Sequence, residues 1–171
     1  MDIAELIMEL SSKSGPSGFE NEAVEFVKEM LEPIMSETWV DNMGNLIAVR
    51  RTAAENPMKI LIDTHIDEIG LIITGEKEGF LTFSNLGGVD PKVLPAREVK
   101  ILSDPPVYGV IDTMPPHVIH REEMDNTPSA SELVIDIGMP AGNLAENKKQ
   151  HLPSPGTPCV FVSSPELIMG R

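Results

Sequence analysis

At residue 69 the chain changes character, and that change limits the folds open to it more than any single motif does. Before it, apolar residues recur at helical spacing: Ile3, Leu6, Ile7 and Leu10 in one stretch, then Ala23, Val27, Met30 and Leu31 in another. Each set makes one buried stripe of an amphipathic helix. Ser14-Gly15-Pro16-Ser17-Gly18 separates the two stretches, Ser17 and Glu20 stand at capping-box spacing, and Pro33 closes the second. After residue 69 no helical period persists. Short candidates over 69–74, 80–83, 97–102, 107–111, 132–137 and 158–162 alternate with Gly/Pro turns. That is the pattern of a small β-barrel or sandwich.

Three further strand candidates lie before the break. Glu37–Val40 and Leu46–Val49 flank Asp41-Asn42-Met43-Gly44-Asn45, which reads as a hairpin turn. Lys59–Asp63 is a short, nearly continuous apolar run, as expected of a strand buried on both faces of an α/β sheet. The polar, Pro-containing segments 121–131 and 142–156 read as loops. The expected architecture is therefore helix-rich α/β material first and an all-β module second.

Composition narrows the function classes. Hydrophobic residues make up 41%, enough for a packed core, and with five Phe, one Trp and one Tyr that core must be mainly aliphatic. Ten methionines are available to fill gaps. The 27 acids outweigh the 13 bases to a net charge of −14, which repels phosphate backbones and anionic membranes, so no nucleic-acid or membrane partner is expected. No apolar run approaches the roughly 18 residues of a membrane span. The N-terminus lacks the basic and apolar regions of a secretory signal. The single cysteine, Cys159, has no internal partner, which suits a reducing cytoplasm, and its apolar neighbours Val160 and Phe161 mark it as a buried thiol.

The chemistry-bearing residues are few. The run Leu61-Ile62-Asp63-Thr64-His65-Ile66-Asp67-Glu68 carries an apolar segment into a His-x-Asp pair. Ligands of open α/β sheets gather beyond the carboxyl ends of the strands, which is where His65 falls. Asp67 is placed to accept the proton on the second imidazole nitrogen, fixing the tautomer of a metal ligand. The plain alternative is a satisfied loop histidine beside a solvated Asp-Glu turn. His117 and His120 stand at the i, i+3 spacing of a zinc pair, but Pro115 and Pro116 argue against a helix there and no His-Glu-x-x-His motif exists. His151 stands alone in a Pro-rich stretch. No Walker A loop, dinucleotide fingerprint or nucleophile elbow is present.

Several stretches together resemble the M42 family of dinuclear metallo-aminopeptidases. They are Ser14-Gly15-Pro16-Ser17-Gly18-Phe19-Glu20, Asp41-Asn42-Met43-Gly44-Asn45-Leu46-Ile47 and Thr64-His65-Ile66-Asp67-Glu68-Ile69-Gly70. Leu86-Gly87-Gly88, Tyr108-Gly109-Val110-Ile111, Pro115-Pro116-His117 and Val134-Ile135-Asp136-Ile137-Gly138 follow in the family's order. The resemblance implies that His65 is a metal ligand and Asp67 the catalytic-site carboxylate that orients it. It implies two divalent ions, Zn or Co, that activate water against the N-terminal bond of a peptide substrate. It implies an incomplete zinc-peptidase-like α/β domain over 1–69, an inserted all-β, PA-like barrel over 70–163 that serves dimerisation, and a return to the peptidase domain over 164–171. Homo-oligomers, from dimers to dodecamers, belong to the same expectation.

The family continues past the insert with Gly-Lys/Arg-Ala-x-Asp-Asp-Arg, and Met169-Gly170-Arg171 matches only its beginning. The resemblance therefore covers an N-terminal portion, in which the bridging Asp, the Glu-Glu pair and the later Asp and His ligands do not occur. A catalytic zinc takes about three protein ligands, so these 171 residues alone are expected to be inactive. A non-catalytic self-association module built on the β part is the competing expectation. A glycoside hydrolase, a label some family members carry, needs carboxylates facing each other across a cleft, whereas Asp67 and Glu68 are adjacent and point apart in extended chain.

Overall fold

The computed structural model describes residues 2–113, 129–139 and 152–168. The chain divides into two compact units, Met1–Glu68 with Ser164–Arg171, and Ile69–Ser163.

In the first unit, helix α1 (Ile3–Ser11) opens with the Asp2 N–H donating to Glu5 Oε2 at 3.0 Å. Helix α2 spans Asn21–Leu31 and buries Ala23 and Val24. The stripe on α1 is only partly covered: Leu6 and Leu10 are half-buried, while Ile3 and Ile7 face solvent. Strands β1 (Glu37–Val40) and β2 (Leu46–Val49) form an antiparallel hairpin with Trp39 opposite Ile47. Asp41 builds its turn, since Oδ1 accepts from the N–H groups of Met43 and Asn45 at 2.8 and 3.0 Å, and Oδ2 from the Asn45 side chain at 3.0 Å. Such side-chain acceptance is why Asp starts turns.

Two local expectations fail here. Ser17 and Glu20 make no capping box: Glu20 itself occupies the N-cap of α2 and accepts from the Gly18 N–H at 2.6 Å, while the Ser17 hydroxyl is committed elsewhere. The expected strand over 59–63 does not form either. Residues 59–63 carry no regular structure, and Ile60, Leu61 and Ile62 are 78%, 90% and 87% exposed. A strand persists only where a neighbour takes its N–H and C=O groups. Among the described residues none pairs with this segment.

The second unit is a closed six-stranded barrel, which decides between barrel and sandwich. Its strands are β3 (Gly70–Lys77), β4 (Phe80–Leu86), β5 (Glu98–Ile101), β6 (Val107–Asp112), β7 (Val134–Asp136) and β8 (Pro158–Phe161), ordered β3-β4-β7-β6-β5-β8 around the wall. All pairings are antiparallel, and β8 shuts the cylinder by lying between β3 and β5. The β3–β4 hairpin turns through Glu78 and Gly79, both at positive φ (56° and 95°), the conformation of a tight primed turn.

Alternation supplies the core. Leu71, Ile73, Leu81, Phe83, Val99, Ile101, Ile111, Ile135 and Cys159 point inward, and Val89, Leu94 and Leu133 from the connections close the ends. Each fully buried aliphatic side chain contributes about 1.5–3 kcal/mol. Cys159 is a core residue, and burial pushes its thiol up to about 12. Gly109 of β6 leaves no room for a side chain beside β7: a Cβ there would lie 2.6 Å from Ile135 Cγ2 and 2.8 Å from the Asp136 carbonyl oxygen.

Candidate functional site

His65 and Asp67 sit in the extended approach to Glu68, beside the Ser14–Gly18 loop that separates the two helices. The loop is stitched to this segment through the backbone. Gly15 N–H donates to Glu68 Oε1 at 2.9 Å, Glu68 N–H returns to the Gly15 carbonyl at 2.8 Å, and Pro16 forms a parallel bridge with Glu68. Pro16 is fully buried, so the loop has an apolar anchor as well.

Three side chains meet on this frame. The Ser17 hydroxyl donates to Asp67 Oδ2. His65 Nδ1 lies 3.1 Å from Asp67 Oδ1 and 3.1 Å from the Asp67 carbonyl oxygen. Both neighbours of Nδ1 are acceptors, so Nδ1 is a nitrogen that carries a proton, and in the neutral ring the lone pair is then on Nε2. The imidazole is 84% exposed and Asp67 only 37%, which places a ring open to solvent on a carboxylate that is partly enclosed. The Ser17 hydroxyl is the main cause that holds the Asp67 carboxyl below its ordinary value of 3.8; burial pulls the other way, and His65 adds to the lowering.

A neutral imidazole with a carboxylate behind Nδ1 has the chemistry of a metal ligand. His65 therefore has the chemistry of a single donor. The described residues contain no cluster of three or more His, Cys, Asp or Glu suited to a metal ion, so they do not close a centre by themselves. His117, His120, His151 and the Met169-Gly170-Arg171 end lie outside the described residues. Two participants escaped the sequence pattern: Ser17, whose spacing to Glu20 suggested a cap, and Glu68, which looked like part of a solvated turn. Their contacts span about fifty positions along the chain and leave no local periodicity.

The profile of the M42 glutamyl aminopeptidase family matches residues 44–170. The chain belongs to the M42 peptidase family. The lysyl aminopeptidase of Pyrococcus furiosus is 29% identical over 147 residues, covering 83% of this chain and 41% of that protein. This M42 chain thus spans about two fifths of the length of the curated relatives it matches. Among solved structures, the TET aminopeptidase of a marine-sediment Thaumarchaeota archaeon has a TM-score of 0.85 at 34% identity, over 96% of this chain and 45% of that one. The TET1 peptidase of Pyrococcus horikoshii, described as assembling into a tetrahedron or a large octahedral shell, has a TM-score of 0.74 at 32% identity, over 94% and 46%.

Proposed function

We propose that this chain supplies the N-terminal portion of a cytoplasmic, metal-dependent aminopeptidase that releases N-terminal residues from peptides. His65 contributes one imidazole ligand through Nε2, and Asp67 orients it. The carrying observation is the Nδ1–Asp67 contact at 3.1 Å in a chain of the M42 family. Zn or Co ions, bound by this histidine together with donors outside the described residues, would polarise the scissile carbonyl and activate water. The unit 1–68 then corresponds to part of a zinc-peptidase-like domain, and the barrel to an inserted PA-like dimerisation domain.

The test is release of N-terminal residues from unblocked peptides by the protein that carries this chain, with and without chelator. Chelator-sensitive release that is lost in His65→Ala supports the proposal; undiminished release by His65→Ala overturns it. From the 171 residues alone little turnover is expected, because one histidine does not hold a dinuclear centre.

A second role rests on a separate observation. The barrel closes on its own wall and core within residues 69–163. It is therefore suited to act as a self-association module, as the shells described for the Pyrococcus horikoshii enzyme suggest. Oligomers that survive chelation in sedimentation experiments support this role, and a monomer at micromolar concentration contradicts it.

A further inference from the structure

The Ser14–Gly18 loop marks the family pattern in this chain, and its Ser17 hydroxyl has no part in the proposed ligand set. We propose that Ser17 is a positioning residue for His65: by occupying Asp67 Oδ2 it reserves Oδ1 for the Nδ1–H, and so selects the imidazole tautomer that presents Nε2 outward. This deepens the ligand role given to His65 and rests on it for its functional meaning, but not for its geometry.

A carboxylate joined to its chain by two rotatable bonds has no intrinsic reason to hold one oxygen toward a neighbouring ring. At Asp67 two donors arrive from different directions. Ser17 takes Oδ2 and His65 takes Oδ1. With both oxygens engaged, rotation of the carboxylate would break one bond to a charged acceptor, among the stronger classes of hydrogen bond. Ser17 is in turn held against Asp67 by its loop. The paired Gly15–Glu68 backbone and side-chain bonds fix that loop, and the turn bond from Phe19 N–H to the Pro16 carbonyl at 2.8 Å shapes it. The order of control runs from buried Pro16, to Ser17, to Asp67, to an imidazole that is itself mostly in solvent. An exposed ring cannot be held by packing, so its tautomer must be set by hydrogen bonds.

The backbone carbonyl of Asp67 also accepts from Nδ1, at 3.1 Å. It assists the same tautomer, but it lies on the segment that carries the ring, whereas Ser17 comes from fifty positions away. The loop thus ties the ring's protonation pattern to the fold of the unit.

The experiment is long-range proton–nitrogen correlation on the histidine-labelled, metal-free 171-residue chain, at a pH where imidazole is neutral, with His65→Gln to assign the signal. The expected parent state is Nδ1–H, the reverse of the preference of free imidazole side chains in water. Ser17→Ala is expected to lower the Nδ1–H to Nε2–H ratio by roughly tenfold, the effect of losing a hydrogen bond to a charged group. Ser17→Thr, which keeps the hydroxyl, is expected to restore the ratio. Protection of the Gly15 amide from exchange reports whether the loop is intact; if Ser17→Ala loses it, Ser17→Cys is read instead. A parent ring in the Nε2–H form overturns the proposal without any substitution, as does an unchanged ratio in Ser17→Ala, or in Ser17→Cys where that is read instead, with the loop intact. A zinc titration that leaves the His65 ring signals unmoved would remove the ligand role while the tautomer result stands, so the two failures are distinguishable.

Discussion

Gly109→Ala is the substitution whose cost follows most directly from the geometry. The new Cβ would sit 2.6 Å from Ile135 Cγ2, 2.8 Å from the Asp136 carbonyl oxygen and 3.0 Å from Ile137 Cγ2. Non-bonded carbons prefer about 3.5–4.0 Å, so the overlap is roughly 1 Å on a buried side chain and on backbone together. Ile135 has no free volume to enter, being fully buried in the barrel core. The Asp136 carbonyl belongs to β7, a strand of three residues whose only registered partner in β4 is the pair Leu81–Ile135. Pushing β7 away from β6 therefore strains the β6–β7 seam and its three registered pairs. Overpacking typically costs about 1–3 kcal/mol, and a clash with backbone belongs in the upper half of that range. For a unit of this size that corresponds to a fall in Tm on the order of 10–20 °C. Gly88→Ala is the matched control: nothing lies within 4 Å of its Cβ position, and a change within about 0.5 kcal/mol is expected. Thermal unfolding of the whole chain, followed by circular dichroism, makes the comparison. Equal midpoints for Gly109→Ala, Gly88→Ala and the parent would refute the close approach of β6 to β7.

Cys159, with its thiol pushed from 9.0 to about 12, should resist alkylation at pH 8 until the protein unfolds. Because the folded value lies above the unfolded one, its contribution is complete below pH 9 and is lost as pH rises toward 12, on the order of 4 kcal/mol at the alkaline limit; rapid labelling of native protein would contradict this. Asp41 is held below 3.8 chiefly by the Asn45 side chain and then by the turn's N–H groups. The hairpin should accordingly hold its stability above pH 3.8 and lose it on further acidification, a dependence that Asp41→Asn should weaken when unfolding is followed across acid pH. Ile111→Ala removes a fully buried side chain and should cost about 2–5 kcal/mol in denaturant unfolding. Leu61→Lys, at a side chain 90% exposed, should leave the unfolding midpoint unchanged and reduce self-association in light scattering; a large loss of stability would show that this segment is covered.

Much of the architecture was legible because it is written in short-range pattern. The period of α2, the Asp41 turn and the inward alternation of the barrel strands are local consequences of side-chain size, polarity and backbone restriction. All six strand segments after residue 69 appear within a few positions of where Gly and Pro punctuate the chain. His65 and Asp67 were legible as a pair because two residues of separation already bring a ring nitrogen to a carboxylate.

Closure of the cylinder was not, since both barrel and sandwich use the same alternation and differ only in whether β8 lies between β3 and β5. The same limit explains the two local failures. Residues 59–63 have the composition of a buried strand, but a strand is a property of a pair, and composition does not supply the second member. Ser17 has the spacing of a helix cap, but its hydroxyl makes one donation, and tertiary contact with Asp67 takes it. Amino-acid order thus determined which segments could be helix, strand or turn and which side chains could do chemistry. Tertiary structure alone decided which of them meet, because hydrogen-bond partners fifty residues apart are chosen by the folded backbone rather than by any local preference.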